Sequence, residues 1–77
     1  MKIHLEYVAM LQVKGARSGE DLVVEDGATI GSLLEILHIR PEHRRVIAPF
    51  VNDRRSTLTA GLREGDRVFL ALPVGGG

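Results

Sequence analysis

The chain has 77 residues, in which ten lysines and arginines balance ten aspartates and glutamates. A chain of this length hides only about 60% of its unfolded surface, so it has room for one hydrophobic core and no second domain. Zero net charge excludes an overall attraction to nucleic acid or to an anionic membrane, and the absence of cysteine excludes disulfides, thiolate nucleophiles and iron–sulfur ligation.

The first part of the chain predicts two strands joined by a polar loop. Apolar and polar side chains alternate from Lys2 to Met10, which is the period of a half-buried strand. A polar link with two glycines follows at residues 14–19, and residues 21–25 resume a strand-like pattern. These segments predict a hairpin.

A change of period then marks a helix. Thr29 offers a side-chain oxygen to the first helical amides, as an N-cap residue does. The following apolar residues recur at i, i+3, i+4 and i+7 and form one stripe: Ile30, Leu33, Leu34 and Leu37. Pro41 is expected to stop the helix at Arg40, because proline disfavours helical geometry in the residue before it.

The next segment predicts a turn and a third strand. Residues 41–45 are polar and predict one irregular turn, and residues 46–51 are apolar. Pro49 interrupts this apolar run, which implies an edge strand or a strand restricted to Phe50 and Val51. Turn signals follow at residues 52–53 and 64–66.

The last strand is predicted over residues 67–72. Its side chains alternate, so Val68, Leu70 and Leu72 share one face, while Phe69 and Ala71 share the other. The sequence leaves open whether Phe69 belongs to the core or to an apolar docking surface. The order strand, strand, helix, strand, strand predicts an α+β domain in which one helix covers one face of a mixed sheet.

Side chains suited to catalysis are scattered. The histidines have no metal-ligand spacing and are interpreted as surface or partly packed residues: His4, His38 and His43. Turn chemistry explains the carboxylates of the second half: Asp53, Glu64 and Asp66. Arg67 is interpreted as a solvated strand charge, with steering of an acidic partner as the alternative.

Nucleic acids and membranes are not expected as partners. Two arginine pairs, Arg44–Arg45 and Arg54–Arg55, make a basic patch conceivable, but the chain has only three aromatic residues that could stack on bases, so solvated loops explain the pairs better. The three are Tyr7, Phe50 and Phe69. No apolar stretch approaches the roughly 20 residues that cross a bilayer, and the first residues lack the apolar core of a secretion signal. A cytoplasmic location is expected.

The glycine-rich ending is the remaining candidate site. Residues 73–77 predict a flexible tail on a domain of residues 1–72, and the segment from Leu72 to Gly77 spans at most about 20 Å. A glycine carboxylate presents no β-carbon to obstruct attack, and glycine backbone approaches another protein closely. A frayed terminus without a function is the alternative, which the three glycines alone leave open.

Ordered motifs along the chain carry a resemblance. They are residues 8–11 after the first strand, residues 26–34 at the start of the helix, residues 51–54, residues 62–68 and the glycine ending. Together they resemble the sulfur carriers that include the small subunit of molybdopterin synthase and the thiamine carrier ThiS. The resemblance implies a ubiquitin-like β-grasp fold, with a mixed sheet of four to five strands packed on one main helix.

The length and the ending Pro73–Gly77 resemble the molybdopterin-synthase subunit more than the shorter thiamine carriers. Two positions depart from the family pattern. Asp53 stands where the family often has glycine, so aspartate must tolerate a turn conformation there. Gly75 stands where a small residue with a side chain is usual.

The resemblance implies that the chain is a carrier and co-substrate, and not an enzyme. A separate adenylating enzyme of the ThiF/MoeB type uses ATP and magnesium to activate the carboxylate of Gly77, next to Gly76, and sulfur then replaces AMP to give a thiocarboxylate. No cofactor or metal is expected in the carrier itself. A synthase large subunit or a thiazole synthase is the further partner implied.

An apolar docking patch beside the tail is expected to bind these partners. Its expected residues are Phe69, Ala71, Pro73, Val74 and Gly75, with Val8 as a neighbour. Two alternatives use the same fold. A ubiquitin-like modifier is conjugated to lysine amines through Gly77, and a non-catalytic interaction module binds its partner without using the tail.

Overall fold

A computed structural model describes residues 1–11 and 13–73. The elements follow in the order β1 (Lys2–Tyr7), β2 (Glu20–Val23), α1 (Ile30–Ile36), α2 (Pro41–Arg44), β3 (Ala48–Val51), β4 (Arg54–Arg55) and β5 (Arg67–Ala71). The five strands form one mixed sheet in the order β2-β1-β5-β3-β4, in which β1 and β5 are parallel and the other neighbours antiparallel. The predicted α+β architecture is confirmed.

The core lies between α1 and one face of the sheet. The sheet contributes its alternate side chains and α1 its apolar stripe, and these residues are at most 1% exposed: Ile3, Leu5, Val68 and Leu70 from the sheet, and Ile30, Leu33, Leu34 and Leu37 from the helix segment. The predicted stripe is therefore confirmed, and the face of β5 that carries Val68 and Leu70 is the inward one, which the sequence left open. Neither described helix is long and apolar enough to cross a membrane.

A capping box begins α1, with Thr29 as the N-cap. The Ser32 amide donates to Thr29 Oγ1 at 3.1 Å, and the Thr29 amide donates to Ser32 Oγ at 2.8 Å. Each side chain thus satisfies a backbone amide that the helix leaves without an intrahelical partner. The predicted start of the helix is confirmed.

The end of α1 comes earlier than predicted, at Ile36 and not at Arg40. His38 has a φ of 56°, so the chain turns in the left-handed conformation directly after the C-cap Leu37. The amides of His38 and Ile39 donate to Glu35 and Leu34 carbonyls, at 3.0 and 3.2 Å. This is a Schellman motif, which usually has glycine at the left-handed position.

Strand β3 corrects the prediction made from Pro49. It runs from Ala48 through Pro49 and lies between β5 and β4, so it is not an edge strand and is not restricted to two residues. The Pro49 carbonyl accepts from the Ser56 amide at 2.8 Å, on the β4 side. The nitrogen of a strand residue points to the same side as its carbonyl, so the longer ladder with β5 loses no hydrogen bond.

Several other boundaries differ from the prediction. Strand β1 ends at Tyr7 because a turn follows, in which the Leu11 amide donates to the Val8 carbonyl at 3.0 Å. Strand β2 is residues 20–23, and β5 ends one residue early, at Ala71. The predicted irregular turn at residue 41 is the short helix α2, with proline at its first position. Strand β4 was not predicted.

Candidate functional site

The chain leaves the sheet at its centre, because β5 lies between β1 and β3. Ala71 is in register with Ala48, and the Val8 amide donates to the Leu70 carbonyl at 3.2 Å. Leu72 packs against the core, and Pro73 is exposed. The predicted sulfur-accepting residues Gly76 and Gly77 and the predicted contacts Val74 and Gly75 lie outside the described residues. The division into a domain of residues 1–72 and a tail of residues 73–77 stays a prediction.

An apolar surface lies next to this exit, on the sheet face turned away from α1. Phe69 is 39% exposed there, and its ring centroid is 6.3 Å from that of Phe50, with the planes tilted by 44°. The register places Ala71 on the same face, where it is half-buried. We call Phe50, Phe69 and Ala71 the aromatic patch. Phe69 therefore lies outside the core, which answers the question that the sequence left open.

Sequence reasoning missed two residues at this patch. Phe50 was assigned only to a strand, although its register opposite Phe69 brings the two rings together. Arg55 places its guanidinium carbon 5.9 Å from the centroid of the Phe50 ring, within the distance of a cation–π contact. The alternation of side chains in β3 and β5 places each ring on one face of its own strand. The pairing register that brings the two rings together depends on both strands and cannot be predicted from either strand alone.

A polar cluster occupies the β1–β2 half of the same face. His4 Nδ1 lies 2.8 Å from Asp21 Oδ1, and His4 Nε2 lies 3.2 Å from Glu6 Oε2. The hydrogen bond with Asp21 raises the pKa of His4, burial opposes this rise, and the bond with Glu6 adds to it. The hydrogen bond with His4 in turn lowers the pKa of Asp21. The contact between His4 and Asp21 joins β1 to β2.

Arg67 is paired within the chain. Its Nη2 donates to Asp53 Oδ2 at 3.1 Å, and both side chains are exposed. Asp53 has a φ of 69° and Asn52 a φ of 52°, so both residues of the β3–β4 turn adopt the left-handed conformation. Asp53 stands where the family often has glycine, and it tolerates this conformation, as its position required. A groove of about 170 Å³ lies beside the pair of Arg67 and Asp53, and its lining includes both residues of the pair together with His4, Glu6 and Phe69.

The turn carboxylates have structural partners. Asp66 is only 9% exposed, and its two oxygens accept from Asn52 Nδ2 at 2.9 Å and from the Arg63 amide at 2.8 Å. Glu64 Oε1 accepts from the Lys2 amide at 3.0 Å. The bond from Arg63 places Asp66 in its own turn, as predicted, whereas the bond of Glu64 joins that turn to the start of β1.

The three histidines lie on different elements: His4 on β1, His38 after α1 and His43 within α2. In the part of the chain that the structure describes, no group of three histidine or carboxylate side chains is arranged to hold a metal ion. What the geometry offers is an exit for the chain beside an apolar surface.

Comparison with known proteins gives a family and a fold. Residues 7–77 match the sequence profile of the ThiS family. No curated protein matches the chain. Subunit 1 of the molybdopterin-converting factor from Helicobacter pylori, solved as a complex with subunit 2, is 25% identical over the whole of both chains, with a TM-score of 0.61.

Two archaeal proteins are similar in the same way. A putative molybdopterin converting factor subunit 1 from Pyrococcus furiosus is 23% identical, with 95% of this chain and 98% of that chain covered and a TM-score of 0.70. One structure of small archaeal modifier protein 1 from Haloferax volcanii has the same identity, coverage and TM-score. A second structure of that protein is 21% identical over the whole of both chains, with a TM-score of 0.70. These likenesses confirm the predicted ubiquitin-like β-grasp fold.

Proposed function

This chain belongs to the ThiS family, as its motifs predicted, and on that basis we propose that it is a sulfur carrier loaded at Gly77. The observation that carries the proposal is the family match itself, which extends through residue 77 and so includes the glycine ending. The exposed exit at Pro73 supports it, because residues 73–77 then extend at most about 18 Å beyond the sheet. Such a segment fits a narrow active-site channel.

The proposed reaction has two steps, and both take place in an adenylating enzyme of the ThiF/MoeB type. The Gly77 carboxylate attacks the α-phosphorus of ATP, held there with magnesium, and pyrophosphate leaves. Hydrosulfide then attacks the acyl carbon and AMP leaves, which gives the thiocarboxylate directly. With a persulfide donor the attack gives an acyl disulfide instead, and a thiol then attacks the donor sulfur, so that the thiocarboxylate leaves and a new disulfide forms between thiol and donor. The acyl adenylate is needed because a free carboxylate is a poor electrophile. The carrier is a substrate throughout and holds no cofactor of its own.

The aromatic patch is proposed as the docking surface for this enzyme and for the later sulfur acceptor. Phe69 and Ala71 belong to the strand that leads into the tail, so a partner that holds the tail lies against them. Apolar side chains at the centre of an interface exclude water and supply much of its affinity. Pro73 and the tail residues Val74 and Gly75 complete the proposed contact.

We favour molybdopterin formation as the pathway, with thiamine formation as the alternative. The H. pylori subunit 1 is similar over the full length of both chains and was solved in complex with its subunit 2. On this basis we propose a synthase large subunit as the acceptor of sulfur, with a thiazole synthase as the alternative. The cytoplasmic location expected from the sequence stays a prediction.

The loading reaction is tested by intact mass. Incubation with the adenylating enzyme, ATP, magnesium and a sulfur donor is expected to give the mass gain of one oxygen exchanged for sulfur. A variant without Gly76 and Gly77 is expected to gain no mass, while its thermal unfolding stays that of the full chain. An unchanged mass for the full chain, or a loaded truncated variant, contradicts the proposal.

A modifier function is the second candidate, and the fold likeness to small archaeal modifier protein 1 favours it. The same adenylated Gly77 is then attacked by a lysine amine, which forms an isopeptide bond and releases AMP. Covalent adducts that resist denaturation and carry a Gly77–lysine linkage distinguish this function from sulfur transfer. A non-catalytic interaction module instead predicts partner binding that survives removal of residues 75–77.

A further inference from the structure

The charges of this neutral chain are unevenly distributed over the fold. Strands β1 and β5 are parallel, so both finish at one edge of the sheet, at Tyr7 and Ala71. We define the tail end as the described residues beyond this edge: 8–11, 13–18, 38–47 and 72–73. They contain five lysines and arginines and a single carboxylate: Lys14, Arg17, Arg40, Arg44 and Arg45, with Glu42.

Hydrogen bonds fix these segments beside the exit of the chain. The Tyr7 hydroxyl donates to the Ala16 carbonyl at 2.8 Å, which holds Arg17 next to the end of β1. The Lys14 amide donates to the Leu37 carbonyl at 3.1 Å, at the end of α1. The first group of cations therefore lies on the β1 side of β5.

The second group lies on the β3 side. The amides of Val46 and Ile47 both donate to the His43 carbonyl, each at 3.1 Å. These bonds hold α2 next to the start of β3. The first residue of β3, Ala48, is in register with Ala71, the last residue of β5. Arg44 and Arg45 are thus placed across the exit from Arg17.

These cations are largely uncompensated. Within residues 1–11 and 13–73, Arg44 has Glu35 at 4.0 Å, and no carboxylate lies within ion-pair distance of the other four. The Glu20 carboxylate, at the start of β2, accepts from the Arg17 amide at 2.7 Å and forms no ion pair with its guanidinium. Those four are exposed: Lys14, Arg17, Arg40 and Arg45. A groove of about 630 Å³ at the tail end has Lys14, His38 and Arg40 among its lining residues and no carboxylate.

The opposite end of the sheet differs in charge. Residues 1–2, 24–27, 52–54 and 61–67 contain four lysines and arginines and five carboxylates. Two of these carboxylates pair locally, because Asp53 binds Arg67 at 3.1 Å and Asp26 lies 3.4 Å from the N-terminal amine. Positive charge is therefore concentrated where the chain leaves the sheet.

We propose that the tail end docks against an acidic surface that surrounds the active-site channel of the adenylating enzyme. This inference rests on the proposed function and names the chemistry of the partner at that site. The cations flank β5 on both sides, which suits an extended protein surface better than a single phosphate group. Exposed charges act mainly on the association rate, so the cationic end steers the tail toward the channel.

Charge reversal at matched positions tests the proposal. The tail-end variant is Arg40→Glu with Arg45→Glu, and the control is Arg54→Glu with Arg63→Glu at the opposite end. All four side chains are exposed, and both variants change the net charge by the same amount. Stopped-flow association with the purified adenylating enzyme is measured at about 0.02 M and about 0.5 M salt, where screening lengths differ severalfold.

The tail-end variant is expected to associate at least about tenfold more slowly at low salt, with the deficit largely lost at high salt. The control is expected to stay within about twofold of the unaltered chain. Equal rates for the two variants overturn the inference, as does a deficit that salt does not reduce. The mass assay separates the two proposals: an unaltered chain that is loaded, with equal variant rates, refutes the acidic surface alone, and an unloaded chain refutes the proposed function.

Discussion

Replacing Phe69 by alanine tests whether the aromatic patch binds the partner. A phenylalanine side chain has roughly 200 Å² of surface, and 39% exposure leaves about 80 Å² for a partner to cover. At about 25 cal/mol per Å², complete burial contributes about 2 kcal/mol. Phe69→Ala is therefore expected to raise the dissociation constant for the adenylating enzyme by about 30-fold.

Val23 provides the matched control. It is 83% exposed on the same sheet face, at the end of β2, in register with Lys2 and far from the exit of the chain. Val23→Ala removes exposed apolar surface without touching the aromatic patch. The dissociation constant of this variant is expected to stay within about twofold of that of the unaltered chain.

Isothermal titration calorimetry measures both constants. Phe69→Ala also loses the contact with the Phe50 ring, worth about 1 kcal/mol, so thermal unfolding of each variant must first show that it is folded at the temperature of the titration. A folded Phe69→Ala variant that binds as tightly as the unaltered chain refutes the docking surface. An equal loss of affinity in Phe69→Ala and Val23→Ala shows that the docking surface is not at the aromatic patch and refutes its proposed location.

Three further predictions concern stability, each measured by urea unfolding. His38→Gly is expected to stabilise the fold by about 1 kcal/mol, because glycine adopts the left-handed conformation without strain, and a loss contradicts this. Asp66→Ala is expected to cost about 2–3 kcal/mol, because it leaves the Asn52 amide group without its carboxylate, and a loss below about 0.5 kcal/mol contradicts this. The folded state raises the pKa of His4, so the contribution of His4 to the free energy of unfolding is full below the ordinary pKa of 6.5 and is lost as the pH rises through the raised pKa. Asp21→Asn is expected to remove most of this pH dependence, and an unchanged pH dependence contradicts the prediction.

The helix was predictable where local chemistry decides it. The cap at Thr29 and the apolar stripe depend on residues within two turns, and both are confirmed. Its end was not predictable in the same way, because glycine is the usual sign of a Schellman turn and this chain has His38 instead. The buried Ile39 and Leu34, which flank that turn, hold the histidine in a conformation that it rarely adopts alone.

The sheet was predictable in strand content and less so in pairing. Pro49 indicated an edge strand by a sound local rule, but its nitrogen faces the β4 side, where the two residues of β4 pair with Phe50 and Val51. The Pro49 carbonyl still accepts from the Ser56 amide there, so the missing amide costs at most one hydrogen bond at the end of this short pairing. A two-residue strand such as β4 carries no periodic signal of its own. Phe69 was undecided because both faces of its strand are apolar, and only the position of α1 determines which face is buried.

Net charge is a poor guide to the partners of this chain. Zero net charge excludes an overall field, but it says nothing about how charge is divided between the two ends of a sheet. The cations at Arg17 and Arg45 are distant in sequence and come together because parallel β1 and β5 finish at the same edge, next to the start of β3. With a Debye length of about 8 Å at physiological salt, a partner at that edge responds mainly to those local cations and little to the carboxylates at the other end. Local charge around the exit, and not the sum over the chain, therefore decides which surfaces attract the tail.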